Sequence, residues 1–132
     1  MKLYVLFVDD DVFNILIHQK YAEYLGIGYE VAYNGAEALE KIEKSSLSNK
    51  YFSLVFLDCN MPILNGFETA KKIKYLINQK IIPYLPIVAL TANVTTNDVT
   101  HCLECGMEYY LAKPVSKKSF KEKILEAIKN LN

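Results

Sequence analysis

The 132-residue chain is short of several things, and each shortage excludes a class of protein. It has no net charge, because 15 Lys and Arg balance 15 Asp and Glu. A neutral chain has no overall pull toward nucleic acid or a membrane surface, so partners must be recognised locally. It has no run of about 20 apolar residues, the length that spans a bilayer. Its opening, Met1-Lys2-Leu3-Tyr4-Val5, holds too little apolar sequence for a secretory signal and leads straight into acid. Cysteine is sparse: Cys59, Cys102 and Cys105 make an odd number, which suits a reducing compartment better than a disulfide framework. Cys102-Leu103-Glu104-Cys105 lacks the second pair that a zinc site needs, and the thiols read as reduced packing groups on a helix. Repeats, low-complexity segments and linkers are missing, and the length holds one domain with one core. These absences predict one cytoplasmic domain over residues 1–132, with no nucleic-acid partner and no membrane contact.

What is present is alternation. Leu3 to Val8 is an uninterrupted apolar run, the mark of a strand covered on both faces. Val12 to Leu25 reads as a helix stopped by Gly26 and Gly28. Tyr29 to Tyr33 reads as a short strand closed by the turn pair Asn34-Gly35. A helix from Ala36 to about Lys44 follows, then a polar loop from Ser45 to Lys50. Leu54 to Leu57 and Ile87 to Leu90 are buried strands, and Tyr109 to Leu111 is a last short one. Phe67 to Ile77 has a helical period through Phe67, Ala70, Ile73 and Ile77. Thr95 to Cys105 reads as a helix ended by Gly106. Ser116 caps the final helix, with Phe120, Ile124, Ile128 and Leu131 on one side. Five strand–helix units in strict alternation predict an α/β fold, a parallel sheet with helices on both faces. Right-handed crossovers leave doubly wound orders, of which 2-1-3-4-5 suits five strands.

In such a sheet, ligands bind beyond the carboxyl ends of the strands. Asp9, Asp10 and Asp11 follow the first strand, Asp58 the third, Thr91 the fourth, and Lys113-Pro114 the fifth. Carboxylates gathered in one crevice repel: two charges about 4 Å apart cost about 4 kcal/mol at an effective dielectric near 20. A hard divalent cation relieves this, and oxygen-only ligands select Mg²⁺ or Mn²⁺. Lys113 adds a second cation and Thr91 a hydroxyl donor. A metal, a lysine and a hydroxyl around one carboxylate are the parts that phosphoryl transfer needs.

The residues in order resemble a family, the receiver domains of two-component response regulators. Val8-Asp9-Asp10, Leu57-Asp58, Met61-Pro62, Asn65-Gly66, Ala89-Leu90-Thr91-Ala92 and Lys113-Pro114 carry the resemblance over essentially the whole chain. Asn14, Asn93 and the stretch Gly106-Met107-Glu108-Tyr109-Tyr110-Leu111-Ala112-Lys113-Pro114 look most like receivers of hybrid sensor histidine kinases. The resemblance implies a flavodoxin-like fold of five strands and five helices. It implies Asp58 as phosphoacceptor and Mg²⁺ held by Asp10, by Asp58, by the backbone carbonyl of Asn60 and, through water, by Asp9. Thr91 and Lys113 would meet the phosphoryl group, Tyr110 would be the aromatic that turns with Thr91, and the Lys113-Pro114 bond would be cis. Asp11 departs from the hybrid-kinase pattern; it adds charge near the metal or caps the first helix, and the cap is the favoured reading. Cys59 is a small neighbour of Asp58, and Asn60 and Asn93 occupy variable positions that help set how long the acyl phosphate lasts.

A histidine kinase or histidine phosphotransfer protein would then be the donor. Mg²⁺-dependent self-phosphorylation and autodephosphorylation at Asp58 would replace conventional enzyme turnover. The response would pass to the face of the fourth helix, fifth strand and fifth helix. The chain closes on that last helix, so output is expected through a partner, a further relay step or a domain outside this stretch. A phosphatase of the haloacid dehalogenase type is the alternative, because Asp9-x-Asp11 mimics its first motif. It needs a later acidic pair for the metal, and no Asp follows Lys113. A degenerate receiver serving only as an interaction module is a third reading. His18 and His101 read as surface or packing residues, and the lysines of the last helix as a solvated basic face, with a docking surface for an acidic partner as the alternative.

Overall fold

Asp58 ends the middle strand of a five-stranded sheet, and the rest of the fold explains how it comes to be there. The computed structural model describes residues 3–61, 65–92 and 96–131. The strands are β1 (Tyr4–Val8), β2 (Gly28–Ala32), β3 (Leu54–Asp58), β4 (Ile87–Thr91) and β5 (Tyr109–Ala112). The helices are α1 (Val12–Leu25), α2 (Gly35–Leu47), α3 (Gly66–Asn78), α4 (Thr96–Glu104) and α5 (Lys117–Leu131). The strand order is β2-β1-β3-β4-β5, and every pairing is parallel.

The inner strands are largely apolar, with Asp58 and Thr91 only at the ends of β3 and β4, because helices cover both faces. Alternate residues of the inner strands β1, β3 and β4 feed two separate cores. Leu6, Val8, Val55, Leu57, Ile87 and Ala89 pack with α2, α3 and α4 residues such as Ile42, Ile73 and Cys102. Val5, Phe7, Phe56, Val88 and Leu90 pack with α1 and α5 residues such as Ile15, Phe120 and Ile124. In the second core the Phe120 ring stacks on Phe56 at 4.9 Å and tilts against Phe7 at 5.9 Å. Truncating Phe120 to Ala would cost roughly 3–5 kcal/mol through the void it leaves.

Helix starts follow side-chain chemistry. Asp11, Asn34 and Asn65 each precede a helix and accept from a backbone N–H in its first turn. Ser116 accepts from Ser119 N at 3.1 Å at the start of α5. The cap role expected for Asp11 is met by its 2.9 Å bond from Phe13 N. Gly26 ends α1 at φ +70°, a left-handed conformation that suits glycine.

Boundaries moved in a few places. The polar stretch expected as a loop from Ser45 is helical through Leu47. Ser45 Oγ donates to Ile42 O at 2.7 Å, so its hydroxyl is satisfied inside the last turns. Asn34-Gly35 is a helix start rather than a free turn. Strands β3, β4 and β5 each take in one further residue, Asp58, Thr91 and Ala112, because the ladder continues through Asp58↔Leu90 and Thr91↔Ala112. Expectations that rest on Pro62, Asn93 and Thr95 lie outside the described residues.

Candidate phosphoacceptor and metal site

The order β2-β1-β3-β4-β5 puts the ends of β1, β3, β4 and β5 side by side. Asp9 follows β1 and is fully buried; its backbone N–H donates to Ala32 O at 3.1 Å. Its carboxylate accepts from Asp11 N at 2.9 Å and from Asn14 Nδ2 at 3.4 Å, so α1 orients it from below. Asp10 is exposed at the mouth of the crevice. Asp58 is only 2% exposed. Its Oδ1 accepts from Asn60 N at 3.2 Å and from Lys113 Nζ at 2.8 Å. Lys113 also lies 3.5 Å from Asp9 Oδ2. Its own backbone N–H donates to Thr91 O at 2.9 Å, which ties the fifth strand end to the fourth. The Lys113–Pro114 peptide is cis, as the resemblance implies.

Gly66 is what lets the next helix come so close. A Cβ there would lie 2.3 Å from Asp58 O and 2.7 Å from Cys59 Cα, backbone atoms that cannot give way. Its N–H donates to Cys59 O at 3.3 Å. The motif Asn65-Gly66 was visible in the sequence, but this close approach was not. The signal was a glycine at the first turn of a helical period, one residue after a cap. Asn14 is the other supporting residue whose contact, on Asp9, only the geometry shows.

Electrostatics follow from burial. Desolvation pushes the Asp58 carboxyl up to about 6, and the Asp9 charge adds to this. The Lys113 hydrogen bond opposes the rise without cancelling it. Burial acts to lower the Lys113 ammonium, but the bond and charge of Asp58, with Asp9, outweigh that and raise it. One oxygen each of Asp9, Asp10 and Asp58 lies within 4.8 Å of the others, a spacing that one cation can bridge. Three carboxylates and no nitrogen or sulfur donor make a hard set that fits Mg²⁺. Among the described residues no other group of acidic, His or Cys side chains has this spacing.

Not every sequence candidate joins the cluster. Thr91 is buried at the end of β4 beside it. Asn60 is exposed at the rim and reaches Asp58 through its backbone N–H. Tyr110 lies apart: it points outward from β5, with Lys123 Nζ 5.9 Å from its ring centre. His18 is buried against Phe7, Tyr21 and Phe120, a packing residue as expected.

Comparison with known proteins agrees with this geometry. Residues 5–125 match the family described as the response regulator receiver domain. The chain is 36% identical over 128 residues to hybrid signal transduction histidine kinase L of Dictyostelium discoideum, a match covering 97% of this chain and 7% of that protein. It therefore spans a small part of the relative's length. The receiver domain of the response regulator Ssk1 of Saccharomyces cerevisiae, solved with the histidine phosphotransfer protein Ypd1, superposes with a TM-score of 0.85 at 32% identity, covering 95% of this chain and 88% of that one. The receiver domain of sensor histidine kinase PA1611 from Pseudomonas aeruginosa, with magnesium coordinated in its active-site cleft, gives 0.81 at 26% identity, covering 97% and 98%. No helix among the described residues is long and apolar enough to cross a membrane. The family match over almost the whole length, the strand order and the acidic crevice agree: this chain belongs to the receiver domains of two-component and phosphorelay signalling, which are phosphoacceptors rather than conventional enzymes.

Proposed function

We propose that Asp58 accepts a phosphoryl group from a phosphohistidine of a histidine kinase or histidine phosphotransfer protein, with Mg²⁺ in the crevice. The observation that carries this is the Asp58 carboxylate itself, buried at the end of the central strand, oriented through Oδ1 and within bridging distance of Asp9 and Asp10. Asp9, Asp10, Asp58 and the backbone carbonyl of Asn60 would hold the metal. When bound, Mg²⁺ neutralises the clustered acids and draws charge from the phosphoryl oxygens.

An Asp58 carboxylate oxygen forms the new bond to phosphorus while the bond from phosphorus to the donor's imidazole nitrogen breaks. The electron pair of the broken bond stays on that nitrogen. Lys113 exchanges its pairing with the carboxylate for pairing with a phosphoryl oxygen, and the Thr91 hydroxyl donates to another. Tyr110 then leaves its outward position, and the α4–β5–α5 face changes for a downstream partner. Loss of the phosphoryl group to water at the same carboxylate resets the domain. Residues 1–132 act as one unit, and three buried free thiols suit a reducing, cytoplasmic setting.

The donor has to approach over the rim of the crevice, and α1 begins at that rim. Phe13 is 77% exposed there, with Leu16 and Ile17 half-exposed along the same helix. Such apolar surface fits a protein donor better than a small phosphodonor.

The test is phosphorylation by acetyl phosphate with Mg²⁺, read by intact mass and peptide mapping. Asp58→Asn should abolish uptake. Uptake that persists in Asp58→Asn but vanishes in Asp9→Asn would favour the phosphatase reading and reject this one. Phe13→Asp should slow transfer from a phosphohistidine protein while leaving acetyl phosphate labelling unchanged.

A further inference from the structure

Helix α4 carries contacts at two adjacent positions to the chain just beyond Asp58. The His101 ring lies flat on Phe67, with ring centres 4.0 Å apart and planes 4° from parallel. The next residue, Cys102, is buried in the same core cluster as Cys59, with the two thiols near each other. Cys59 directly follows Asp58. Phe67 follows Gly66, the residue pressed against the Asp58–Cys59 backbone. An outer ring stack and an inner sulfur contact therefore tie α4 to the segment that carries the phosphoacceptor.

Burial does not force the outer contact. His101 is exposed, and an exposed ring lies flat on a neighbour only where that contact is favourable. Residues of α3 and α4 share a core, with Ala70 and Ile73 clustered with Cys102, and the ring stack adds an outer link between the two helices. Both thiols are free and buried, so they serve as packing contacts.

We propose that Phe67 and His101, backed by Cys59 and Cys102, form a latch that holds α4 in its unphosphorylated position and sets how readily the domain switches. The latch rests on the phosphoacceptor reading above, in which the face that includes α4 changes once Thr91 meets the phosphoryl group. A contact present in one state and absent in the other biases the equilibrium by its own free energy. An aromatic stack of this geometry is worth roughly a three- to tenfold change in that equilibrium.

The experiment titrates Mg²⁺-loaded protein with beryllofluoride, a phosphoryl mimic, and follows the backbone amide resonances of α4. His101→Ala and Phe67→Leu should each lower the midpoint roughly three- to tenfold. The double variant should go no further than either single change, because both remove one contact. His101→Phe, which keeps a ring in the stack, should stay within about twofold of wild type. An unchanged or raised midpoint in His101→Ala, with only thermal stability altered, overturns the latch. If wild type shows no α4 response, or Asp58→Asn responds as wild type does, the phosphoacceptor reading falls and takes the latch with it. A normal wild-type response with unresponsive latch variants rejects the latch alone.

Discussion

Lys113 Nζ lies 2.8 Å from Asp58 Oδ1 and 3.5 Å from Asp9 Oδ2, so one ammonium serves two buried carboxylates from different strands. That arrangement balances part of the local charge and leaves the remaining acid excess for a metal. It also makes Asp58 sensitive to everything that changes the crevice.

Removing the lysine is the most direct check. Lys113→Ala takes away the bond that opposes the upward push on Asp58, so the Asp58 carboxyl should titrate above about 6. The metal-free fold should lose roughly 2 kcal/mol, less than a fully buried pair would cost, because Lys113 keeps some solvent. A ¹³C NMR titration of the Asp58 carboxyl, with urea unfolding alongside, reads both. A lower Asp58 pKa in the variant would refute the stated pairing.

The acidic cluster should loosen when one member goes. Asp10→Asn removes a charge from an exposed member and should weaken Mg²⁺ binding at least about tenfold, while the fold stays intact. Isothermal calorimetry measures this. Equal affinity in the two proteins would place the metal elsewhere.

Asp58 carries a stability cost in the metal-free protein. Its folded-state pKa is raised from 3.8 to about 6, so the ionised form is disfavoured in the fold. Stability is therefore greatest below 3.8 on this account, falls as pH rises, and levels off above about 6. Asp58→Asn should flatten that slope and raise the neutral-pH stability by about 2 kcal/mol, a few degrees in melting temperature. Added Mg²⁺ should stabilise wild type more than the variant.

His18 acts in the opposite sense. Burial holds its imidazole below the usual 6.5; the Asp9 charge works against this and Lys113 with it. The stability it contributes is fully present above 6.5 and is lost as pH falls through 6.5 toward the lowered folded value. His18→Phe keeps a ring among Phe7, Tyr21 and Phe120 and should reduce that acid-side loss. Unfolding free energies at a series of pH values separate this from the Asp58 slope.

Gly66→Ala should destabilise by roughly 3 kcal/mol, because the added carbon meets backbone at 2.3 Å and the Asp58 strand end must shift. Phosphorylation by acetyl phosphate should fall with it. A variant of normal stability would mean that α3 can slide away at no cost.

The sequence by itself determined the alternation of strands and helices, the acids at two strand ends and the helix caps. Each is a local property: an apolar run of five residues, a 3.6-residue period, a short polar side chain before a helix. It also carried the family resemblance, because the motifs stand in order along the chain. Element ends moved by a residue or more, as at Leu47 and Asp58, because ladder pairing and side-chain bonds to neighbours set them. Only the tertiary structure decided that Lys113 touches both Asp9 and Asp58, that Gly66 must lack a side chain, and that Tyr110 faces outward. It alone put the Phe67 ring on His101 and the Cys59 thiol near that of Cys102. Those are contacts between distant parts of the chain. They depend on which strands lie side by side and how closely helices approach, and no local pattern encodes such distances.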